Sequence, residues 1–378
     1  MAADRLRRLL WQRPALRPFP PPSKGLSDNP AYQWWRDPHI MQPDSWWGMA
    51  ESAGALERPA ALLNQLGVEL FRFELPWREL APQRPGQMAY DRIAASDPEW
   101  AGYRWARLDA IVASLVEVGV APVPVVTYAP GWAMSSSAAD EAAPPEHGAY
   151  VADVVKALAL RYRRTVSHWE LWNEPDHPHS WSGSLEQYVR LVLVPGAASV
   201  REAAPDSLVL MGGVAHPSTV SALLDLGAVG HFDVANLHVY PRGPSPRHVR
   251  AALNEVRAAL ARVGRRDLTV WITECGIATR RPSSDSHFGG FTDEDGQARF
   301  IESLFGSVAA DAIFIYQLRD TAIFDREGRC LKEVYWGLVT RDWTRRKAGF
   351  EQYRRLVRGR PSPWRRAART PTSPPAAR

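Results

Sequence analysis

Short runs rich in β-branched and aromatic residues alternate along this chain with longer amphipathic segments. The longer segments repeat Leu, Val or Ala at i, i+3, i+4 and i+7, which is the stripe that a helix needs to pack on a sheet. Eight of the short runs have the length and residue types of strands. They begin at Ser45 (SWWGM), Glu69 (ELFRF), Pro122 (PVPVVT), Ser167 (SHWELW), Leu208 (LVLMGG), Val234 (VANLHVY), Leu268 (LTVWITE) and Ala312 (AIFIYQL).

This alternation predicts a parallel sheet, because strands separated by helices pair through right-handed crossovers. Eight such units match a closed barrel better than an open doubly wound sheet, which usually has fewer strands and a glycine-rich turn after the first. Neither a G-x-G-x-x-G motif nor a P-loop occurs in the sequence. We therefore expect an α/β protein with one (β/α)8 TIM barrel over residues 26–358.

The two ends of the chain differ from its body in charge and composition. Residues 1–25 are proline-rich with a net charge of +5, and residues 354–378 contain eight arginines and no acidic residue. The formal charge of +5 on the whole chain therefore leaves about −8 on the body. We expect residues 1–25 to be a basic N-terminal extension and residues 359–378 to be a disordered basic tail. Because the positive charge lies in these tails, we expect no nucleic-acid partner.

The sequence contains no feature that places it in a membrane or gives it a bound metal. No run approaches the roughly 18 apolar residues that span a bilayer, and no apolar stretch of signal-peptide length follows the basic start. We therefore predict a cytoplasmic protein without membrane insertion. The two cysteines, Cys275 and Cys330, give neither a disulfide framework nor a zinc-ligand spacing. We expect no cofactor.

Polar and aromatic side chains stand at or just after the points where several predicted strands end. In a TIM barrel the C-terminal ends of the strands build the active site, so these residues are the candidates for function. They are Arg72, Tyr128, Trp132, Asn173, Glu174, His238, Tyr240, Glu274 and Tyr316.

Glu174 and Glu274 close the fourth and the seventh predicted strands and would face each other across the barrel mouth. One glutamate at such a position is most often a capping or salt-bridge residue. Two of them on opposite sides favour paired carboxylate chemistry. Glycoside hydrolysis needs such a pair, one to protonate the leaving oxygen and one to attack or to activate water.

The segments HWELWNEPD and VWITECG resemble clan A of the glycoside hydrolases, most closely families 39 and 5. This resemblance implies a retaining enzyme that acts on β-linked carbohydrate, with Glu174 as general acid/base and Glu274 as nucleophile. It further implies that Asn173 binds the sugar 2-hydroxyl.

The same resemblance assigns supporting roles to three other strand-end residues. Arg72 would lie beside the nucleophile, and the His238-x-Tyr240 pattern would place a hydrogen-bond donor, Tyr240, on it. One departure is that Ile315 stands where many members of the clan have a tryptophan beneath the sugar, so Phe314 or Tyr316 would have to replace it.

Three further features admit a structural as well as a functional interpretation. The DHPH segment at 176–179 contains possible metal ligands, but the intervening proline and the lack of helical i, i+4 spacing favour a cleft-rim role. Residues 283–296 are expected to form a mobile lid with hinges at Gly289 and Gly290. Six tryptophans are either sugar platforms or core residues, namely Trp46, Trp47, Trp77, Trp132, Trp172 and Trp181.

Two alternatives to hydrolysis stay open at this point. A barrel that has lost catalysis would bind carbohydrate without cleaving it, since a fold does not determine a function. A transglycosylase would form the same covalent intermediate and pass the sugar to another hydroxyl. The identity of the sugar, exo or endo action and the oligomeric state do not follow from the sequence.

Overall fold

The computed structural model describes residues 23–27, 45–52, 54–84, 102–134, 142–281, 289–324 and 330–358. Within these ranges eight parallel strands form a closed barrel in sequence order, in which each strand pairs with the next and β8 pairs with β1. The predicted TIM barrel is therefore confirmed. Its strands are β1 (Ser23–Ser27), β2 (Leu70–Pro76), β3 (Ala121–Thr127), β4 (His168–Leu171), β5 (Leu208–Leu210), β6 (Val234–Val239), β7 (Thr269–Cys275) and β8 (Ala312–Tyr316).

Helices connect the strands, and a two-stranded antiparallel sheet follows β8. That sheet consists of β9 (Thr321–Phe324) and β10 (Cys330–Val334). No described helix combines the length and the apolar character that crossing a bilayer requires. The α-helices in the described ranges are α1 (Trp46–Met49), α2 (Glu57–Leu66), α3 (Trp77–Leu80), α4 (Ala106–Glu117), α5 (Gly148–Tyr162), α6 (Leu185–Tyr188), α7 (Val194–Ala203), α8 (Ser218–Asp225), α9 (Arg247–Arg262), α10 (Glu294–Ser307) and α11 (Ala348–Arg358).

The prediction of the first strand was wrong, whereas the other seven predicted runs overlap β2 to β8. The SWWGM segment forms helix α1, because the Ser45 side chain caps the helix by accepting a hydrogen bond from the Gly48 amide at 3.0 Å. The first strand is instead β1, and its residues 23–25 belong to the range that we expected to be an N-terminal extension. Gly25 suits this strand because a Cβ there would collide with the ring of Phe314.

The inside of the barrel has an apolar layer with a polar layer above it. The apolar layer is a cluster that includes Leu70, Val234 and Phe314. Arg72 and Glu74 follow Leu70 on the same face of β2 because side chains in a strand alternate. Strand β6 repeats this order with Val234 in the cluster and His238 further along. The polar side chains therefore gather toward the C-terminal ends of the strands.

A β-bulge in β7 turns Glu274 toward the barrel axis. The register pairs Leu237 with Ile272 and then His238 with Glu274, so Thr273 is an extra residue on the β7 side. Without the bulge, simple alternation would place Glu274 on the same face as Ile272, which packs in the outer core. Cys275, the next residue, returns to that outer core as a buried free thiol.

Candidate active site

Glu174 is held at the end of β4 by an unusual stretch of backbone. Trp172 has φ 80° and Glu174 has φ 43°, and both angles lie in the left-handed region that L-residues seldom adopt. The Glu174 amide donates to the carbonyl of Gly213 at 2.9 Å. The Tyr188 hydroxyl donates to the Leu171 carbonyl at 2.9 Å and accepts from the Gly212 amide at 2.7 Å. These bonds anchor the backbone on both sides of Asn173.

The two glutamates predicted from the strand ends lie close together. One oxygen of Glu174, one oxygen of Glu274 and one ring nitrogen of His238 all lie within 4.8 Å of one another. Glu174 is 9% exposed and Glu274 is 8% exposed, so both carboxylates are largely withdrawn from water. The arrangement brings two acids and a titratable base within reach of one small molecule.

Arg72 lies beneath this pair and bonds to four side chains on three other strands or their ends, including the Ser27 hydroxyl of β1, which accepts from Nη1 at 3.2 Å. Its Nη1 group donates to Glu274 Oε1 at 2.6 Å, and its Nη2 group donates to Asn173 Oδ1 at 2.7 Å. Its Nε and Nη2 groups also donate to the two oxygens of Glu170, at 2.7 and 2.9 Å. Burial alone would lower the pKa of Arg72, but the charges of Glu170 and Glu274 outweigh it and raise that pKa. The guanidinium is therefore a permanent cation.

Glu274 receives one donor on each of its oxygens. Arg72 donates to Oε1, and the Tyr240 hydroxyl donates to Oε2 through a short hydrogen bond. Burial and the negative charge of Glu274 raise the pKa of Tyr240 well above its ordinary value, so the phenol keeps its proton. Two donors from different strands thus fix the orientation of the carboxylate.

His238 and Glu174 form a hydrogen-bonded pair, with 2.7 Å between Nδ1 of the imidazole and Oε1 of the carboxylate. Burial alone would raise the pKa of Glu174, but the hydrogen bond from His238 and its charge lower it below the ordinary value. Burial alone would lower the pKa of His238, but the Glu274 charge and the bond to Glu174 raise it. These opposite pKa shifts favour a carboxylate at Glu174 and a proton on the imidazole of His238.

An aromatic wall borders the carboxylates on the β6 and β8 side. The ring of Tyr240 lies 4.9 Å from that of Trp336 and 5.8 Å from that of Tyr316, in edge-to-face arrangements. Tyr316 therefore lies beside Tyr240 at the same end of the barrel. Ile315, at the position where the resemblance expects tryptophan, is buried in the outer core. Trp336 was not predicted, since it lies in the segment that follows β10.

Tyr128 and Trp132 lie at the end of β3 and have structural partners there. The Tyr128 hydroxyl donates to Glu74 Oε1 at 3.2 Å, and Tyr128 is buried. The Trp132 indole donates to the Ala81 carbonyl at 2.8 Å, and its ring lies edge-on to that of Trp77. Trp132 is half-buried, so part of its ring is accessible at the barrel mouth.

The other features singled out in the sequence are mainly structural. Asp176 accepts hydrogen bonds from the amides of Ala215 and His216 and from the Thr219 hydroxyl, all within 2.9 Å, so it holds the start of α8. Five of the six candidate tryptophans are buried in the core, which excludes them as open sugar platforms. They are Trp46, Trp47, Trp77, Trp172 and Trp181.

Part of the predicted lid, residues 283–288, lies outside the described residues. Its two proposed hinge glycines pack on the site. A Cβ on Gly289 would collide with Trp336, and the Gly290 amide donates to the Pro241 carbonyl at 2.7 Å. Residues 294–296 at the end of the predicted lid already belong to helix α10, which Asp293 caps.

Among the described residues, one group of acidic and histidine side chains is close enough to hold a metal ion, and it is Glu174, His238 and Glu274 themselves. Their atoms are engaged with one another and with Arg72 and Tyr240. A guanidinium in contact with Glu274 opposes a second cation there. The set is better suited to moving a proton than to holding a metal.

Besides Trp336, two residues of the candidate site were not predicted from the sequence. Glu170 is fully buried and bonds to Arg72 and to the Gly213 amide. The signal was present, since a carboxylate inside the apolar HWELW run needs a buried partner. The imidazole of His238 packs directly against Gly213, and a Cβ at this position would collide with the imidazole Nε2 atom.

No family model and no curated relative matches the sequence significantly. The fold is similar to that of solved glycosidases. A glucosidase from Croceicoccus marinus aligns with a TM-score of 0.63 and 17% identity, over 92% of this chain and 69% of its own. A monomeric β-xylosidase from Caulobacter crescentus CB15 aligns with a TM-score of 0.63 and 18% identity, over 91% of this chain and 69% of its own.

A family 39 glycoside hydrolase from the gut symbiont Bacteroides cellulosilyticus WH2 aligns with a TM-score of 0.59 and 18% identity, over 89% of this chain and 64% of its own. The structural neighbours thus include family 39 glycosidases, as the motifs indicated. At these identities the likeness shows the barrel fold. The chain spans about two thirds of the length of these structures.

Proposed function

We propose that this protein is a retaining glycoside hydrolase that cleaves β-linked sugars by double displacement. The observation that carries the proposal is the separation of the two carboxylates, since an oxygen of Glu174 and an oxygen of Glu274 lie within 4.8 Å. Retaining pairs are about 5–5.5 Å apart, whereas inverting pairs are about 6.5–9.5 Å apart to admit a water molecule. The neighbouring structures support a glycosidase on the level of the fold.

Glu274 is assigned the role of nucleophile. Arg72 and Tyr240 hold one oxygen each, which aims the carboxylate at a single reacting carbon. In the first step Glu274 attacks the anomeric carbon, and the bond from that carbon to the leaving oxygen breaks. The negative charge of Glu274 is consumed as the covalent sugar ester forms.

Glu174 and His238 are assigned the transfer of the proton. As the leaving oxygen gains charge, Glu174 receives the proton of the imidazole 2.7 Å away and passes it to that oxygen. Loss of the Glu274 charge removes the main influence that raises the pKa of His238. After this step His238 is neutral and Glu174 is a carboxylate, which is the form that a general base needs.

The second step reverses the proton path. Water attacks the anomeric carbon, Glu174 accepts the proton of that water, and the bond to Glu274 breaks. The returning carboxylate charge draws the proton back onto His238. Two inversions at one carbon give net retention of configuration.

Asn173 and the aromatic wall are assigned to the sugar. Because Oδ1 of Asn173 accepts from Arg72, the Nδ2 group on the opposite side of the amide is the donor that would meet the sugar 2-hydroxyl. Tyr316 and Trp336 would face the apolar side of the ring that Tyr240 borders.

The test uses a panel of aryl β-glycosides and β-linked oligosaccharides, with the configuration of the first product followed by NMR. We expect the wild-type protein to release product with retained configuration and the Glu274→Ala variant to be inactive. Product of inverted configuration, or full activity in the variant, would contradict the proposal. Binding across the panel without turnover would favour the binding-only alternative.

A further inference from the structure

Glu170 occupies the centre of the polar layer although it is not among the residues assigned to the reaction. It lies on β4, four residues before Glu174, and its side chain is fully buried. A buried carboxylate without compensation is costly, so its partners decide its role. All of its described bonds are to groups that in turn bond to Glu174 or Glu274.

One set of bonds leads to the Glu274 side of the site. Both Glu170 oxygens accept from Arg72, Oε2 from Nε at 2.7 Å and Oε1 from Nη2 at 2.9 Å. Such a bidentate contact fixes both the position and the plane of a guanidinium. Since Nη1 of the same guanidinium contacts Glu274 at 2.6 Å, the plane set by Glu170 determines where that donor points.

The other bond leads to the Glu174 side. Oε1 of Glu170 also accepts from the Gly213 amide at 3.0 Å, and the Gly213 carbonyl accepts from the Glu174 amide at 2.9 Å. The same glycine leaves the space into which His238 approaches, and His238 bonds to Glu174. Gly213 is therefore the link between Glu170 and both members of the proton-carrying pair.

We propose that Glu170 is a positioning residue that sets the spacing of Glu174 and Glu274 by holding Arg72 on one side and the Gly213 backbone on the other. This inference rests on the proposed function, since the spacing matters only if both carboxylates act on one bond. Glu170 itself touches no reacting atom. Its effect on the reaction passes through Arg72 and Gly213.

The test is the Glu170→Gln variant, which keeps the size of the side chain but replaces one acceptor oxygen by a donor facing Arg72. We expect kcat to fall about 100-fold, the loss associated with a displacement of roughly 1 Å at a reacting group. KM should change little, because Glu170 does not touch the sugar. A crystal structure of the variant should show Arg72 withdrawn from Glu274, a result that does not depend on turnover.

A matched control is Asp109→Asn, which disrupts another buried bidentate arginine–carboxylate pair, between Asp109 and Arg161 on helices α4 and α5. It should lose stability but keep the wild-type kcat. If Glu170→Gln does not fold, Glu170→Asp serves instead, since its shorter side chain keeps the charge but cannot reach both Arg72 and Gly213.

Each outcome has one meaning. A folded Glu170 variant with wild-type kcat and Arg72 in place would overturn the positioning role while leaving the hydrolase proposal intact. An equal loss of kcat in Asp109→Asn would show that loss of any buried charge lowers kcat, and it would also overturn the positioning role of Glu170. A wild-type protein that turns over no member of the panel would instead count against the proposed function, and the crystal structures would still decide the role of Glu170.

Discussion

Two buried clusters in this protein contain the same chemical groups, an arginine, a carboxylate and a tyrosine, yet they differ in how many carboxylates the arginine serves. One lies between helices α4 and α5 and consists of Asp109, Arg161 and Tyr162. The other lies at the barrel mouth around Arg72. Their comparison separates the requirements of a stable fold from those of a reactive site.

The helix cluster centres on one carboxylate. Arg161 donates to both oxygens of Asp109, at 3.0 and 2.6 Å, and the Tyr162 hydroxyl donates to the same carboxylate at 2.7 Å. Burial, followed by the charge of Asp109, raises the pKa of Tyr162 well above its ordinary value, so the phenol is a permanent donor.

In the mouth cluster one arginine serves two carboxylates. Arg72 makes its bidentate contact with Glu170 and also donates to Glu274, so both carboxylates depend on one cation. Glu274 gains its other donor from Tyr240, and its side chain keeps 11% exposure toward the cleft. The difference teaches that in the helix cluster the arginine and the tyrosine both serve one carboxylate, whereas at the barrel mouth one arginine serves two carboxylates and a substrate can reach the second.

The largest effect that would sharpen this comparison is expected from Glu174→Ala. Removal of the general acid should lower kcat/KM by about 10²–10⁴-fold for aryl glycosides with poor leaving groups. Substrates whose leaving group needs no proton should lose much less. Kinetics across a series of leaving groups tests this, and an equal loss for all of them would contradict the acid role.

Asp109→Asn probes the helix cluster. Leaving Arg161 buried without its anion should cost about 3–5 kcal/mol of unfolding free energy. Urea denaturation measures this loss. The kcat/KM of the folded variant should equal that of the wild type, because the cluster lies outside the barrel, and a fall in kcat/KM would mean that the two clusters are coupled.

His238→Gln tests the proton that His238 and Glu174 share in the mouth cluster. Because the pKa of His238 is raised, the wild-type pair keeps its proton above the ordinary histidine value of about 6.5 and loses it as the pH rises further. The alkaline limb of kcat/KM should therefore lie above that value. In the variant a carboxyl must hold the proton alone, so the limb should move to lower pH; an unmoved limb would argue against the relay.

The smallest effect is expected from an exposed pair of the same geometry. Arg345 donates to both oxygens of Glu294, at 2.8 and 2.7 Å, and lowers the pKa of that carboxyl. Since water screens the pair, Glu294→Gln should cost less than about 1 kcal/mol. A lowered pKa means that this stability is present above the ordinary glutamate value and is lost as the pH falls. Thermal melts at neutral and acidic pH measure it, and a loss as large as that of Asp109→Asn would contradict the role of burial.

Much of the fold followed from the sequence because its physical signals are local. Seven strands show β-rich runs, and the rule that strand ends build the site pointed to Glu174 and Glu274. Strand β1 was missed because SKGLS is short and largely polar, and its place depends on Gly25 admitting the distant Phe314 ring.

The parts of the site that were missed depend on contacts across the barrel. The bulge at Thr273 that turns Glu274 inward is set by pairing with β6, which no local pattern records. Trp336 returns to the mouth after the β9–β10 sheet, and sequence spacing does not predict that return. Glu170 was visible as a carboxylate in an apolar run, but its partners Arg72 and Gly213 are known only from the folded chain.

The most direct test of the account is to trap the covalent intermediate. The wild-type protein would be treated with an activated 2-deoxy-2-fluoro analogue of whichever β-glycoside it turns over, and then analysed by intact mass and by peptide mapping. We predict one added sugar, on the peptide that contains Glu274, and no addition to the Glu274→Ala variant. Turnover with no trapped sugar and with inverted product, or a label on another residue, would contradict the assignment of Glu274 as the nucleophile.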